Sequence, residues 1–131
     1  MAKILVIDDS DSIRELVLLV LTRDGHEVVG TSCGRECIAH LQRHPVDLLI
    51  TDIFMPEVDG LEIILQAKKL KPEVRVIAMS SKTGKMDMLP AAKAFGASLT
   101  LHKPFSLAAL SEAVRSVLPA PVPTPACKDP R

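Results

Sequence analysis

The sequence has no tryptophan, no tyrosine and three phenylalanines. It offers no aromatic platform on which bases or sugars could stack, which excludes ligands read that way. It also lacks an excess of either charge: sixteen lysines and arginines meet sixteen aspartates and glutamates, for a formal net charge of zero. Nucleic-acid binding by charge needs a basic excess or stripe, so none is expected. No apolar run approaches the roughly 18 residues of a membrane span, and no membrane insertion is expected. The opening Ile4-Leu5-Val6-Ile7 is too short for a signal peptide and meets Asp8-Asp9 at once. Cysteine is scarce: Cys33, Cys37 and Cys127 have no zinc-type spacing and read as reduced thiols of a cytoplasmic protein. A glycine-rich phosphate loop is missing too, since the first apolar run leads into Asp8-Asp9-Ser10-Asp11-Ser12. That excludes a dinucleotide-binding domain.

What is present suits one folded domain: 131 residues, 47% hydrophobic and 24% charged. Five apolar runs, at 4–7, 27–31, 46–51, 74–79 and 98–101, alternate with five stretches of helical character. Three of the runs are almost wholly Val, Ile, Leu or Met, as in strands buried on both faces of a parallel sheet. Ile13, Leu16, Val17, Val20 and Leu21 form one helical face, and Gly25 stands where a C-terminal cap belongs. A second helix over 35–43 stops before Pro45, and a third over 59–70 stops before Pro72. A short helix over 89–95, with Pro90 in its first turn and Gly96 ending it, follows a long connection at 82–88. The last helix starts at a Ser106 cap and is expected to bury Leu107, Leu110, Val114 and Val117. The alternation predicts an α/β domain with a doubly wound five-stranded parallel sheet in the order 2-1-3-4-5. That domain spans residues 1–118. Residues 119–131 hold five prolines and read as an extended tail or linker.

Ligands of open α/β sheets bind beyond the carboxyl ends of the strands. Those ends carry Asp8 and Asp9 on the first strand, Asp52 on the third, Ser80 on the fourth and Lys103 on the fifth. The second strand, at an edge, contributes nothing comparable. Each aspartate alone is an ordinary helix cap, and Ser80 or Lys103 alone an ordinary surface group. Together they describe a pocket. Three converging carboxylates resist ionising unless a cation neutralises them, and Mg²⁺ suits hard oxygen donors. A metal beside a lysine accepts a phosphoryl group, and a carboxylate can become an acyl phosphate. Asp52, central in the crevice, is the better nucleophile; Asp8 and Asp9 are the better metal ligands.

The segments KILVIDDSDSIR, DLLITDIFMPEVDG, VIAMSS and GASLTLHKPF resemble those of response-regulator receiver domains of the chemotaxis-regulator type, over residues 3–118. The resemblance implies a flavodoxin-like fold with Asp52 as phosphoacceptor, and Asp8, Asp9, Asp52 and the Phe54 carbonyl as Mg²⁺ ligands. It implies Ser80 as the switch hydroxyl, Lys103 as the partner of the phosphoryl oxygens, and a cis Lys103–Pro104 bond. Met55-Pro56 and Asp59-Gly60 match the family's turn into the third helix. Where the family usually carries Tyr or Phe, three residues before the lysine, this chain has Thr100, so the usual aromatic switch is absent. The Phe54 ring, opposite Lys82, would bear on the dephosphorylation rate.

The implied function is a signalling phosphoacceptor, not a dedicated enzyme, that catalyses its own phosphorylation and hydrolysis. Its donor would be a histidine kinase or phosphotransfer protein. Its downstream protein partner would bind the face formed by the 89–95 helix, the fifth strand and the last helix. Two other readings stay open. One is a receiver-like scaffold never phosphorylated in signalling, which the missing ring favours. The other is a haloacid-dehalogenase-type phosphatase with Asp9 as nucleophile, since Asp9-Ser10-Asp11 is a D-x-D after the first strand, although the chain is short for one. His40 and His44, four apart, read as a solvated helix end rather than a zinc site. Cys33 and Cys37 share a face as buried or half-buried thiols.

Overall fold

The computed structural model describes residues 2–53, 60–81, 93, 96–103 and 105–118. Strands β1 (Lys3–Ile7), β2 (Glu27–Thr31), β3 (Leu48–Asp52), β4 (Arg75–Ser81) and β5 (Leu99–Lys103) form one parallel sheet. Its order is β2-β1-β3-β4-β5, as the alternating pattern predicts. Helices α1 (Asp11–Arg23), α2 (Gly34–Arg43), α3 (Gly60–Leu70) and α4 (Leu107–Val117) cover both faces.

The three central strands are apolar at nearly every position because each face has its own helical layer. Leu5, Ile7, Leu49, Val76 and Ala78 pack with Cys37 and Leu41 of α2 and Ile63, Ile64 and Ala67 of α3. Ile4, Val6, Leu48, Ile50, Ile77 and Met79 pack with Val17, Val20 and Leu21 of α1 and with Leu110, Val114 and Val117 of α4. Alternate side chains of one strand thus enter two separate cores. Each fully buried Leu or Ile stabilises the domain by about 1.5–3 kcal/mol.

Caps set the helix ends. The Ser10 hydroxyl accepts the Ile13 N–H at the start of α1, and the Ser106 hydroxyl accepts the Ala109 N–H at the start of α4. At the end of α1, Gly25 takes φ of +97°. Its N–H donates to the Thr22 carbonyl, and the His26 N–H donates to that of Leu21, a Schellman closure needing a residue without Cβ strain. One expectation is corrected: Leu107 is 38% exposed. It is the first residue of α4, one turn before the helix reaches the sheet. Ala113 is buried in the face with Leu110, Val114 and Val117 instead.

Of the helix expected over 89–95, Lys93 is described and is helical. Gly96 follows with φ of +124°, its N–H on the Lys93 carbonyl, as a helix-ending glycine requires. The connection at 82–88 and the proline-rich residues 119–131, including Cys127, lie outside the described residues.

Candidate functional site

The parallel sheet brings all five carboxyl ends to one edge, and the site is built there. Asp8 follows β1 directly, and its N–H continues the ladder onto the Thr31 carbonyl of β2. Its side chain is fully buried. One carboxylate oxygen, Oδ1, accepts the Ser10 N–H at 2.9 Å, and the other, Oδ2, accepts Lys103 Nζ at 2.7 Å. Because Ser10 caps α1, the aspartates before it are free of the capping role such positions often have. Asp9 stands exposed at the rim. Asp52 ends β3, in register with Met79 of β4, and is 6% exposed. Its Oδ2 lies 3.2 Å from Lys103 Nζ.

Lys103, at the end of β5, therefore bridges Asp8 and Asp52 across the crevice. Burial works against its charge, but the hydrogen bond to Asp8 and the negative charges of Asp52 and Asp8 outweigh it. Its pKa lies above the ordinary lysine value. Ser80 is buried at 2% exposure, one residue past the partner of Asp52 and in register with His102. Thr100 sits half-buried in β5, opposite Ala78. Phe54, Met55, Pro56, Asp59, Lys82 and Pro104 lie outside the described residues, and with them the expected carbonyl ligand and cis bond.

The donors suit a hard divalent cation. Oxygens of Asp8, Asp9 and Asp52 all lie within 4.8 Å of one another. Carboxylate oxygens gathered this closely would hold a small hard cation such as Mg²⁺, which would neutralise charge there. One ammonium cannot balance three carboxylates, and the excess negative charge favours a cation.

Sequence patterns do not reveal the supporting roles of Arg14 and Thr51, or how closely Gly60 approaches Asp52. Arg14 of α1 donates from Nη1 to the Asp8 main-chain carbonyl at 2.7 Å. A cation in the first turns of a helix opposes the helix dipole, and that anomaly is its signal. The Thr51 hydroxyl, fully buried, donates to the Asp52 main-chain oxygen. Gly60, at the start of α3, lies directly against the Asp52–Ile53 backbone. The second strand, expected to contribute no comparable side chain, supplies the main-chain carbonyl that holds the Asp8 N–H.

The remaining candidates stay outside the site. The rings of His40 and His44 stand 4.5 Å apart, and among the described residues no third ligand completes a metal group with them. Cys33 is half-buried and Cys37 buried, as expected, and burial with the neighbouring Cys33 pushes the Cys37 thiol up to about 12. Such a thiol is unreactive at neutral pH.

The family model of the response regulator receiver domain matches residues 4–115. The chain belongs to this family. It is 32% identical to the sporulation initiation phosphotransferase F of Bacillus subtilis, over 89% of this chain and 94% of that protein. It is 37% identical to the DNA-binding transcriptional regulator NtrC of Azospirillum brasilense, over 93% of this chain but 25% of that protein. Among solved structures, the chemotaxis protein CheY4 of Vibrio cholerae superposes with a TM-score of 0.82 at 32% identity, covering 90% of this chain and 99% of that one. As a receiver of two-component signalling, the chain is a phosphoryl-accepting signal transducer with the flavodoxin-like fold. Receivers bind Mg²⁺ through acidic residues and interact with histidine kinases or phosphotransfer proteins and with effectors. No helix of the described residues is long and apolar enough to cross a membrane.

Proposed function

We propose that Asp52 is the phosphoacceptor of this receiver and that Asp8 and Asp9 are its Mg²⁺ ligands. The observation that carries the reading is the bridge of Lys103 across Asp8 and Asp52 beside the exposed Asp9. An Asp52 oxygen attacks the phosphorus of a phosphohistidine, the P–N bond breaks, and an acyl phosphate forms. The imidazole leaves with the electron pair and takes up a proton. When bound, Mg²⁺ neutralises charge on the phosphoryl oxygens. Lys103 stands ready to leave Asp52 for a phosphoryl oxygen, since its longer bond, 3.2 Å, is the one to the acceptor. Asp8, held by the shorter bond, keeps the ammonium at the pocket when that exchange occurs.

Ser80 is the hydroxyl that closes on the phosphoryl group, and the Phe54 carbonyl completes the metal ligands. The downstream protein docks on the face of β5, α4 and the 89–95 segment. With Thr100 in place of a ring, the change proceeds without an aromatic rotor in β5. The work takes place in the cytoplasm, with phosphorylation and hydrolysis catalysed by the chain's own residues. The phosphatase reading is the weaker: Lys103 pairs with Asp52 and Asp8, whereas Asp9 stands exposed at the rim.

Intact-protein mass after incubation with acetyl phosphate and Mg²⁺ tests the assignment. One phosphoryl adduct is expected, dependent on Mg²⁺ and absent from Asp52→Ala. No adduct on the wild type would favour the unphosphorylated scaffold. An adduct that survives Asp52→Ala but is lost in Asp9→Ala would favour the phosphatase.

A further inference from the structure

Arg14 lies outside the group of acceptor, metal ligands and switch residues, yet it reaches into the site's backbone. Its Nη1 donates to the carbonyl oxygen of Asp8, 2.7 Å away, while Nη2 pairs with Asp11 on the same helix. The Asp8 carbonyl belongs to the peptide that joins Asp8 to Asp9, the two proposed metal ligands. The two aspartates differ sharply in how they are held. Asp8 is buried and its carboxylate bonded at both oxygens; Asp9 is exposed. Fixing the carbonyl fixes the plane of that peptide, and so the direction in which Asp9 leaves the chain.

The edge strand leaves room for this grip. At Gly30 of β2, a Cβ would come within 3.2 Å of both Cγ and Cδ of Arg14, and within 2.9 Å of Leu18 Cδ1. The stem of Arg14 therefore runs across a strand position kept free of a side chain, and the Arg14 side chain as a whole is 17% exposed. Partners outside the immediate ligand set commonly orient the ligands of a metal site. We infer that Arg14 is a positioning residue for the divalent-cation site, holding the Asp8–Asp9 peptide so that the exposed Asp9 carboxylate meets those of Asp8 and Asp52. The inference rests on the metal-site reading proposed above.

The sign of the effect separates positioning from simple charge. A guanidinium near three carboxylates repels a cation, so charge alone predicts that removing Arg14 tightens metal binding. Positioning predicts the reverse. Its pairing with Asp11, which is 80% exposed to water, damps the repulsion, so positioning dominates.

Titration of the full chain with Mn²⁺, followed by the electron paramagnetic resonance of the free ion, tests this without any phosphoryl donor. Arg14→Met keeps the stem over Gly30 and removes both hydrogen bonds; it is expected to weaken Mn²⁺ binding about tenfold. Arg14→Lys keeps one donor for the Asp8 carbonyl but loses the fork, and an intermediate affinity is expected. Thermal melts of the same samples establish that each variant is folded at the assay temperature. Binding by folded Arg14→Met as tight as wild type, or tighter, overturns the inference. Equal weakening in Arg14→Lys and Arg14→Met overturns it as well, because a retained donor would then do nothing. Wild type that binds no Mn²⁺ overturns the metal-site reading and this inference with it.

Discussion

Gly60→Ala is expected to cost the domain about 3 kcal/mol and to lower its phosphorylation by acetyl phosphate more than tenfold. A Cβ at this position would fall against the main-chain oxygen of Asp52, 2.5 Å from the Ile53 Cα and 3.0 Å from the Asp52 carbonyl carbon. Those are backbone atoms, and nothing there is the free end of a flexible side chain. The segment it would displace is held from several directions. The Ile53 N–H donates to the Met79 carbonyl of β4, and the Gly60 N–H donates to the Ile53 carbonyl. The Thr51 hydroxyl donates to the same Asp52 oxygen the methyl would meet. Either α3 backs away, opening the core around Leu61, Ile63 and Ile64, or the end of β3 moves and takes Asp52 with it. The first outcome lowers stability and the second lowers phosphorylation. Urea unfolding and acetyl-phosphate labelling of the same preparation measure both. A variant equal to wild type in both would mean that the close approach of α3 to β3 is not required.

That contact illustrates what a one-dimensional pattern can and cannot carry. The strands were legible because a central parallel strand is buried on both faces, so Leu48, Leu49 and Ile50 read as an unbroken apolar run. The site was legible for a related reason. Strands that run in parallel place their last residues on one edge, which makes Asp8, Asp52, Ser80 and Lys103 neighbours before any distance is known. Leu107 misled because periodicity reports the face of a helix and not where along its length the sheet begins to cover it. Gly60 could be placed at a turn by its neighbours, but its close approach to Asp52 depends on how α3 meets β3. Arg14 and Gly30 are sixteen positions apart and meet because α1 lies over β2. Lys103's preference for Asp8 over Asp52, 2.7 against 3.2 Å, has no sequence signal.

Lys103→Met is expected to destabilise the metal-free protein by about 3 kcal/mol, and Mg²⁺ is expected to restore most of the loss. The ammonium of Lys103, whose side chain is 12% exposed, is shared by the carboxylates of Asp8 and Asp52, and a methionine of similar length leaves them facing one another. Removing one member of a buried ion group is costly because the charge left behind stays buried; this crevice admits water on one side, which holds the cost to the low end. The same change raises the excess negative charge in the cluster, so the variant should bind Mg²⁺ more tightly than wild type. Each tenfold gain in affinity adds about 1.4 kcal/mol of stabilisation at saturating cation. Phosphorylation should nevertheless fall, since the oxygens of the incoming group lose their ammonium partner. The pH dependence has a definite sign. The folded-state pKa of Lys103 is raised, so its contribution is full below the unfolded lysine value of about 10.4 and is lost as pH climbs through the higher folded value. The stability gap between wild type and Lys103→Met should therefore hold steady from neutral pH to about pH 10 and narrow above it. Thermal melts in EDTA and in Mg²⁺, repeated across that range, measure each part. A variant as stable as wild type in EDTA would show that the Lys103 bridge contributes nothing to the resting domain, and that its worth lies wholly in the phosphoryl step.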